Sequence, residues 1–309
     1  MSNAVDTNRH IYISGASGLI GSALMPFLKT KGYDVYPLKR TLSSTATKEI
    51  NTPYWDIKHK KIDLNGCPNP NVIIHLAGEN IANSRWTTAV KQKITDSRVD
   101  STQLMVDFIN DSAIPPNLFI CASAIGFYGN RGQQLVDEKD LKGSDFVSDL
   151  AEQWENITQK INTASTRVVN LRTGIVLNKK EGALAKMLPA FKMGLGGKIG
   201  SGTQVMSWID LQDELNAILF IIQQEQLKGP VNLVSPHSVN NKNFSTTLAR
   251  QLNRPSFFPM PAGIVRLLFG QMGEELLLSS TNVQPTKLLQ AGFEFKYAHL
   301  EDSLKHQGV

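Results

Sequence analysis

Cysteine is nearly absent from this chain: Cys67 and Cys121 are the only two among 309 residues. Two thiols build neither a disulfide framework nor a four-cysteine metal site, so the fold must rest on an apolar core, and a reducing, cytoplasmic compartment is expected. Histidine is also scarce, and its six copies show no H-E-x-x-H run and no clustered ligand spacing, so no metal site is expected. No uninterrupted apolar stretch is long enough to span a bilayer, and the first nine residues are polar rather than signal-like. Dense basic clusters are missing too, because the formal charge of +5 is spread along the chain and Lys58-His59-Lys60-Lys61 is the nearest approach to one. A short run of that kind is ordinarily a solvated loop, so neither nucleic acid nor membrane is expected as a partner. The chain shows no internal repeat and no low-complexity tract.

What is present is an alternation. Strand-like runs at 11–14, 34–38, 72–76, 118–122 and 168–171, with a weaker one at 54–57, alternate with helical patterns near 19–31, 87–110, 146–161 and 211–224. That order predicts an α/β fold, a Rossmann-type doubly wound parallel sheet. Hydrophobic content of 41% and charged content of 19% fit a full globular core. From Gly229 the composition changes, with Pro230, Pro236, Pro255, Pro259 and Pro261 punctuating short elements. Two units are therefore expected, 1–228 carrying the sheet and 229–309 forming a smaller C-terminal lobe on the substrate side. The glycine-bearing segment 182–202 could fold over a pocket. The apolar stretch 262–278, interrupted by Arg266, Glu274 and Glu275, is expected to pack into the core rather than against a partner or membrane.

A parallel sheet places its ligand at the carboxyl ends of its strands, which directs attention to the residues just after each one. The first such segment is Ser14-Gly15-Ala16-Ser17-Gly18-Leu19-Ile20-Gly21, a strand, a tight turn and a helix start. Gly15 permits the turn, Gly18 removes a side chain where phosphates would approach, and Gly21 lets the helix pack on the sheet. The helix start offers free N–H groups and a positive dipole end, so Gly15, Ser17, Gly18, Leu19, Ile20 and Gly21 are the expected contacts of a dinucleotide pyrophosphate. The alternative is a glycine-rich turn with no ligand. The second strand ends in Lys39-Arg40 without a carboxylate, which favours NADP over NAD, unless both are merely surface cations. Leu76, Ala77 and Gly78 would let backbone approach the cofactor. His75 reads as a satisfied strand-end residue, and Glu79 as either a proton-exchanging group or a cap or loop carboxylate.

The fifth strand runs into Cys121-Ala122-Ser123-Ala124-Ile125-Gly126-Phe127-Tyr128-Gly129. With the glycine turn, this segment resembles the extended short-chain dehydrogenase/reductase superfamily, specifically its NAD(P)-dependent epimerase/dehydratase group. Leu76-Ala77-Gly78-Glu79, Trp154-Glu155, Leu171-Arg172-Thr173-Gly174-Ile175-Val176-Leu177 and Ser207-Trp208-Ile209 resemble the sugar-nucleotide epimerase-like branch, and 254–304 resembles that branch's C-terminal domain. The resemblance implies a serine that orients a substrate oxygen, a proton-transferring tyrosine and a lysine one helical turn later. Ser123 matches the serine. With Glu155 placed on the family's recurrent glutamate, Val147 falls at the tyrosine position and Ala151 at the lysine position, so that pair is missing.

Tyr54 and Lys58 have the Y-x-x-x-K spacing but precede the fourth strand and are read as coincidence. Tyr128 is the substitute acid to consider, or else it merely packs over its loop. Two functional classes follow. One is an NADP(H)-dependent epimerase or oxidoreductase acting on a nucleotide sugar or other small carbonyl or hydroxyl compound through Ser123 with Tyr128 or Glu79. The other is a non-catalytic protein that binds or senses NADP(H). Members of the superfamily often pair through helices, so an oligomer is compatible with either.

Overall fold

The structure, a computed structural model, describes residues 9–40 and 51–309; the polar residues 1–8 and the segment 41–50 lie outside it. In chain order the elements are β1 (His10–Ser14), α1 (Leu19–Thr30), β2 (Asp34–Pro37), β3 (Lys39–Arg40), β4 (Tyr54–Asp56), β5 (Lys61–Asp63) and β6 (Val72–His75). There follow α2 (Thr88–Asn110), β7 (Leu118–Ala124), β8 (Leu135–Val136), α3 (Phe146–Thr158), β9 (Arg167–Thr173), β10 (Ile175–Leu177), α4 (Gly182–Lys192), β11 (Val205–Met206) and β12 (Trp208–Asp210). The chain then forms α5 (Leu211–Gln223), β13 (Gly229–Leu233), β14 (Val239–Asn240), α6 (Asn241–Gln251), α7 (Ala262–Phe269), α8 (Gln271–Gly273), β15 (Asn282–Val283), α9 (Thr286–Gln290) and α10 (Leu300–His306).

The main sheet has the order β13-β9-β7-β6-β1-β2, and every pairing in it is parallel. Side chains alternate between its faces, as the period of a strand demands. Ile11, Ile13, Val72, Ile74, Leu118 and Ile120 join α1 and α5 in one core layer, whereas Tyr12, Ile73, Phe119 and Cys121 join α2 and α3 in the other. Nearly all are below 3% exposed, so each aliphatic side chain contributes about 1.5–3 kcal/mol of burial. Because β1 is flanked by β2 on one side and β6 on the other, the chain's direction of winding reverses at β1. That reversal opens a crevice beyond the carboxyl end of β1.

Three departures from the sequence reading concern the periphery. The run read as a strand to Leu38 holds, with Leu38 N still donating to the Ile13 carbonyl at 2.8 Å, but Lys39–Arg40 beyond it turns out of the main sheet to pair with Tyr54–Asp56 in a small three-stranded sheet. Gly229, expected to open the C-terminal lobe, instead opens β13, which hydrogen-bonds along β9 as the sixth strand of the main sheet. Its apolar Val231 and Leu233 complete the α1/α5 layer, a role that proline-counting overlooks. The third departure is 262–278: Val265, Met272 and Gly273 are buried, but Ile264, Leu267 and Leu268 face solvent.

The rest of the chain gathers at the carboxyl end of the sheet. Leu184, Leu188 and Phe191 of α4 pack with Phe244 and Leu248 of α6 and with Leu300 and Leu304 near the C-terminus. Trp86, Val147, Leu150 and Met272 form a smaller cluster that ties the loop before α2 and the start of α3 to α8. Parallel pairing of β15 with β8 adds a backbone link between the two parts.

Candidate functional site

The crevice beyond β1 holds an open cleft of about 680 Å³, lined among others by Gly15, Ser17, Leu38, Lys39, Arg40, Trp55 and Ala77. Gly15 has φ +71, and a Cβ there would stand 2.7 Å from the Leu76 carbonyl carbon and 2.8 Å from the Ala77 nitrogen. A Cβ on Gly21 would lie 2.3 Å from the Gly15 carbonyl oxygen. Both glycines are therefore required by the chain's own packing. Gly18 is not: it is exposed, its φ of −81 suits any residue, and an added Cβ would meet only the Gly15 oxygen at 3.4 Å. What Gly18 preserves is open space in front of α1.

The start of α1 is equally telling. Thr87, Asp145, Asp210 and Asn240 cap α2, α3, α5 and α6 by accepting a hydrogen bond from a first-turn amide. α1 has no such cap and no acidic residue in its first turn, a lack it shares with α4 and α7, but of these only the start of α1 lies at the cleft beyond β1. The amides at Leu19, Ile20 and Gly21 thus lack an intrahelical acceptor by the geometry of any helix start, and no side chain supplies one. An uncapped twelve-residue helix beside an open cleft suits an anion bridging those amides.

At the other end of the cleft stand two cations. Arg40 is exposed and its guanidinium carbon lies 5.9 Å from the centre of the Trp55 ring. It also borders a second open hollow of about 710 Å³, with Asp56, Lys58, Glu79, Lys93 and Asp96. Trp55, on the strand read only weakly from sequence, was not foreseen as a lining residue; it is the buried member of that strand, between the half-buried Tyr54 and Asp56. Leu19 leans away from the cleft toward Gly182, whose Cβ would come 3.1 Å from its Cδ2. From the same helix Lys186 Nζ donates to the Ala82 carbonyl at 3.4 Å, so α4 reaches across to the loop after β6. No residue of 182–202 lines either hollow.

Around Ser123 the picture is different. Ser123 Oγ donates to Glu155 Oε1 at 2.7 Å, and Glu155 pairs with Arg172 through Nε to Oε1 and Nη2 to Oε2, each 2.8 Å. Arg172 Nη1 donates to the Tyr128 hydroxyl at 3.0 Å, which donates to Asn232 Oδ1 at 2.7 Å. Asn232 Nδ2 in turn donates to the Gln284 carbonyl at 2.8 Å. The Arg172 guanidinium also stacks 3.4 Å from the centre of the Phe127 ring. Tyr128 is wholly buried, and burial pushes its hydroxyl up to about 12. The structure therefore contradicts its reading as a pocket-facing acid: its hydroxyl sits inside the core, with a guanidinium on one side and an amide on the other. None of Glu155, Arg172 and Asn232 was singled out as its partner, because they lie far from it in sequence.

Glu79 does not join this group. Its carboxylate lies 3.1 Å from Lys93 Nζ on α2 and borders the hollow beside Arg40, while Ser97 Oγ accepts from its amide. Leu76 and Ala77 stand against the Gly15 turn, and Gly78 packs over Arg98. His75 bridges Ser14 Oγ at 2.6 Å and Ser101 Oγ at 3.0 Å. Burial first, and the charge of Arg98 second, push its imidazole down to about 3, so it is a neutral clasp between β1, β6 and α2. Val147 and Ala151 are buried on α3. The amide of Val147 donates to Glu275 Oε2 at 3.2 Å, a carboxylate from beyond α8 that the sequence reading treated only as an interruption of an apolar run.

Fold, crevice and glycine turn define a dinucleotide-binding protein of the Rossmann class. A family model described as the NAD dependent epimerase/dehydratase family matches residues 11–234, and a domain of unknown function (DUF1731) matches 260–307. The chain belongs to the NAD-dependent epimerase/dehydratase family. It is 38% identical to an epimerase family protein (Mb2239) of Mycobacterium bovis, over 98% of this chain and 97% of that protein. It is similar to the crystal structure of human epimerase family protein SDR39U1 with NADPH, with a TM-score of 0.87, 29% identity, and 96% and 98% of the two chains covered. A nucleoside-diphosphate sugar epimerase from Corynebacterium glutamicum gives a TM-score of 0.77 at 29% identity, over 98% of this chain and 58% of that one.

Proposed function

We propose that this protein binds NADP(H) between the Gly15–Gly21 turn and Lys39-Arg40, and that it carries out a reductase- or epimerase-type reaction on a nucleotide sugar or another small carbonyl or hydroxyl compound. The observation that carries the reading is the start of α1, uncapped and fronted by a glycine that the fold does not need. The residues present fit the dinucleotide. The α1 amides from Leu19 to Gly21 would hold the pyrophosphate, Ala77 and Gly78 leave backbone free for approach, and Arg40 would pair with the 2′-phosphate that distinguishes NADP from NAD. The NADPH in the human relative's structure supports the same choice.

When bound, the nicotinamide supplies or accepts a hydride. The chain's own task is to hold a substrate oxygen and manage its proton. Ser123 already gives its proton to Glu155, so its lone pairs are the part left to orient a substrate hydroxyl as an acceptor. Arg172 fixes Glu155 from the other side, and Tyr128 fixes Arg172, which makes both positioning groups. Glu79, at the solvent edge beside Arg40, is the carboxylate able to exchange a proton with water.

A second reading, a binding or sensing protein without turnover, is favoured by the buried apolar pair Val147 and Ala151 and by the closed network around Tyr128. The two are separated by titrating the protein with NADPH and NADP, then following NADPH absorbance with a panel of carbonyl compounds. Saturable binding with oxidation supports the reductase, binding without oxidation but with interconversion of a nucleotide sugar by product analysis supports the epimerase, binding with neither supports the sensor, and no binding removes all three.

A further inference from the structure

Among the described residues, the segments that follow α4 and precede α7, together with α7 itself, carry a set of exposed large apolar side chains. Met193, Leu195, Phe257, Phe258, Leu267 and Leu268 are 67%, 54%, 80%, 58%, 72% and 52% exposed. They belong to three neighbouring pieces of chain. The segment after α4 runs beside the segment before α7, joined by Arg254 Nε donating to the Lys192 carbonyl at 2.8 Å, Met260 N donating to the Lys198 carbonyl at 2.9 Å, and a bridge between Ile199 and Met260. After Pro261 the chain turns directly into α7, whose Val265 is fully buried while Leu267 and Leu268 point outward. A helix anchored by one side and apolar on the other is a surface without its partner.

Charge says what that partner is. Residues 182–209 and 241–273 include Lys186, Lys192, Lys198, Lys242, Arg250, Arg254 and Arg266, and not one aspartate or glutamate. Arg250 and Arg266 are paired with Glu301 and Glu274, but among the described residues Lys192, Lys198 and Arg254 have no carboxylate partner. The patch is thus apolar with a cationic rim. A second copy of the chain meeting it about a two-fold axis would set that rim against itself, so self-association is disfavoured. A broad occupant that offers both apolar depth and negative charge is the surface of a bilayer containing anionic phospholipid. The described residues hold no helix long and apolar enough to cross a membrane, which limits the contact to one face.

We propose that the surface formed by 193–198, 254–260 and α7 is a peripheral docking site for anionic phospholipid membranes, with Phe257, Phe258 and Leu267 inserting and Lys192, Lys198 and Arg254 facing the headgroups. The test is co-sedimentation of the full chain with vesicles of phosphatidylcholine alone or mixed with phosphatidylglycerol, at low and raised salt. The protein is expected to bind the mixed vesicles, more weakly as salt rises. The double variant Phe257→Ser/Phe258→Ser should weaken partitioning by about tenfold or more, and Arg254→Gln or Lys192→Gln by about fivefold each. Leu267→Ser gives an independent check on α7, and unchanged melting temperatures confirm that the variants are folded. Absence of binding to either vesicle, or equal binding to both, overturns the proposal. So does gel filtration showing a wild-type dimer that the serine variants convert to monomer, since the occupant is then a second copy.

Discussion

The carboxyl edge of the sheet has two ends of opposite character. Beyond β1 the chain leaves polar groups unanswered: first-turn amides without a cap, Gly18 without a packing role, and an exposed arginine over Trp55. Beyond β7 and β9 Ser123, Glu155, Arg172, Tyr128 and Asn232 answer one another from within and form one continuous chain of bonds. Buried polar atoms must find partners or destabilise the fold, whereas solvent-facing ones can wait for a ligand. The first end is therefore built to receive something, and the second is built to stay as it is.

The sharpest way to break this contrast is to open the closed end. Glu155→Ala leaves the Arg172 guanidinium buried without its carboxylate and should cost about 3–5 kcal/mol, read by denaturant unfolding. An unchanged midpoint would mean that water already reaches the network. At the open end, Gly18→Glu should leave the unfolding curve close to wild type while weakening NADP binding by about a hundredfold or more, because the new carboxylate stands where the phosphates belong. Retained affinity in titration calorimetry would remove the phosphate assignment.

Smaller effects sharpen the comparison. Arg40→Ala should lose about 1.5–3 kcal/mol of NADP affinity, roughly ten- to a hundredfold, with much less change for NAD. Equal losses for the two cofactors would show that Arg40 does not read the 2′-phosphate. Glu214, fully buried against Thr173 Oγ1 and with no partner for Oε2 among the described residues, is held up to about 8 by burial. Because its folded value is raised, the stability it lends is complete below about pH 4.5 and is lost as pH rises through 8. Glu214→Gln should therefore remove the alkaline loss seen in melting temperature between those limits, and a wild-type curve that is flat there would contradict the assignment. The smallest change is Ser123→Ala, about 1 kcal/mol of stability, with cofactor affinity unaltered.

The contrast also explains what was legible. The glycine turn and Lys39-Arg40 are local: strand, turn and helix start are adjacent in sequence, so residue types alone convey the geometry. Sheet order followed from the same alternation. Tyr128 misled because its setting is not local, with Arg172 and Asn232 44 and 104 residues away and nothing nearby to mark it as buried. Gly229 misled because an edge strand tolerates Pro230, so proline there signals an edge rather than a domain boundary. The outward face of α7 was hidden for a third reason: an apolar helix has the same composition whether its side chains meet a core or meet water.

Parallel pairing of β15 with β8 sets a schedule for the newborn chain. Ser280 reaches back to the Gly132 carbonyl across 148 residues, and Glu275 supplies a bond to the start of α3 across 128. At cellular rates of synthesis that interval takes on the order of ten seconds. The glycine turn, α1 and β2 emerge well before it elapses, while the loop after β7 waits with its strand edge and helix start unfinished. The receiving end of the crevice can thus take shape on the ribosome, whereas the closed end is completed only once translation is almost over.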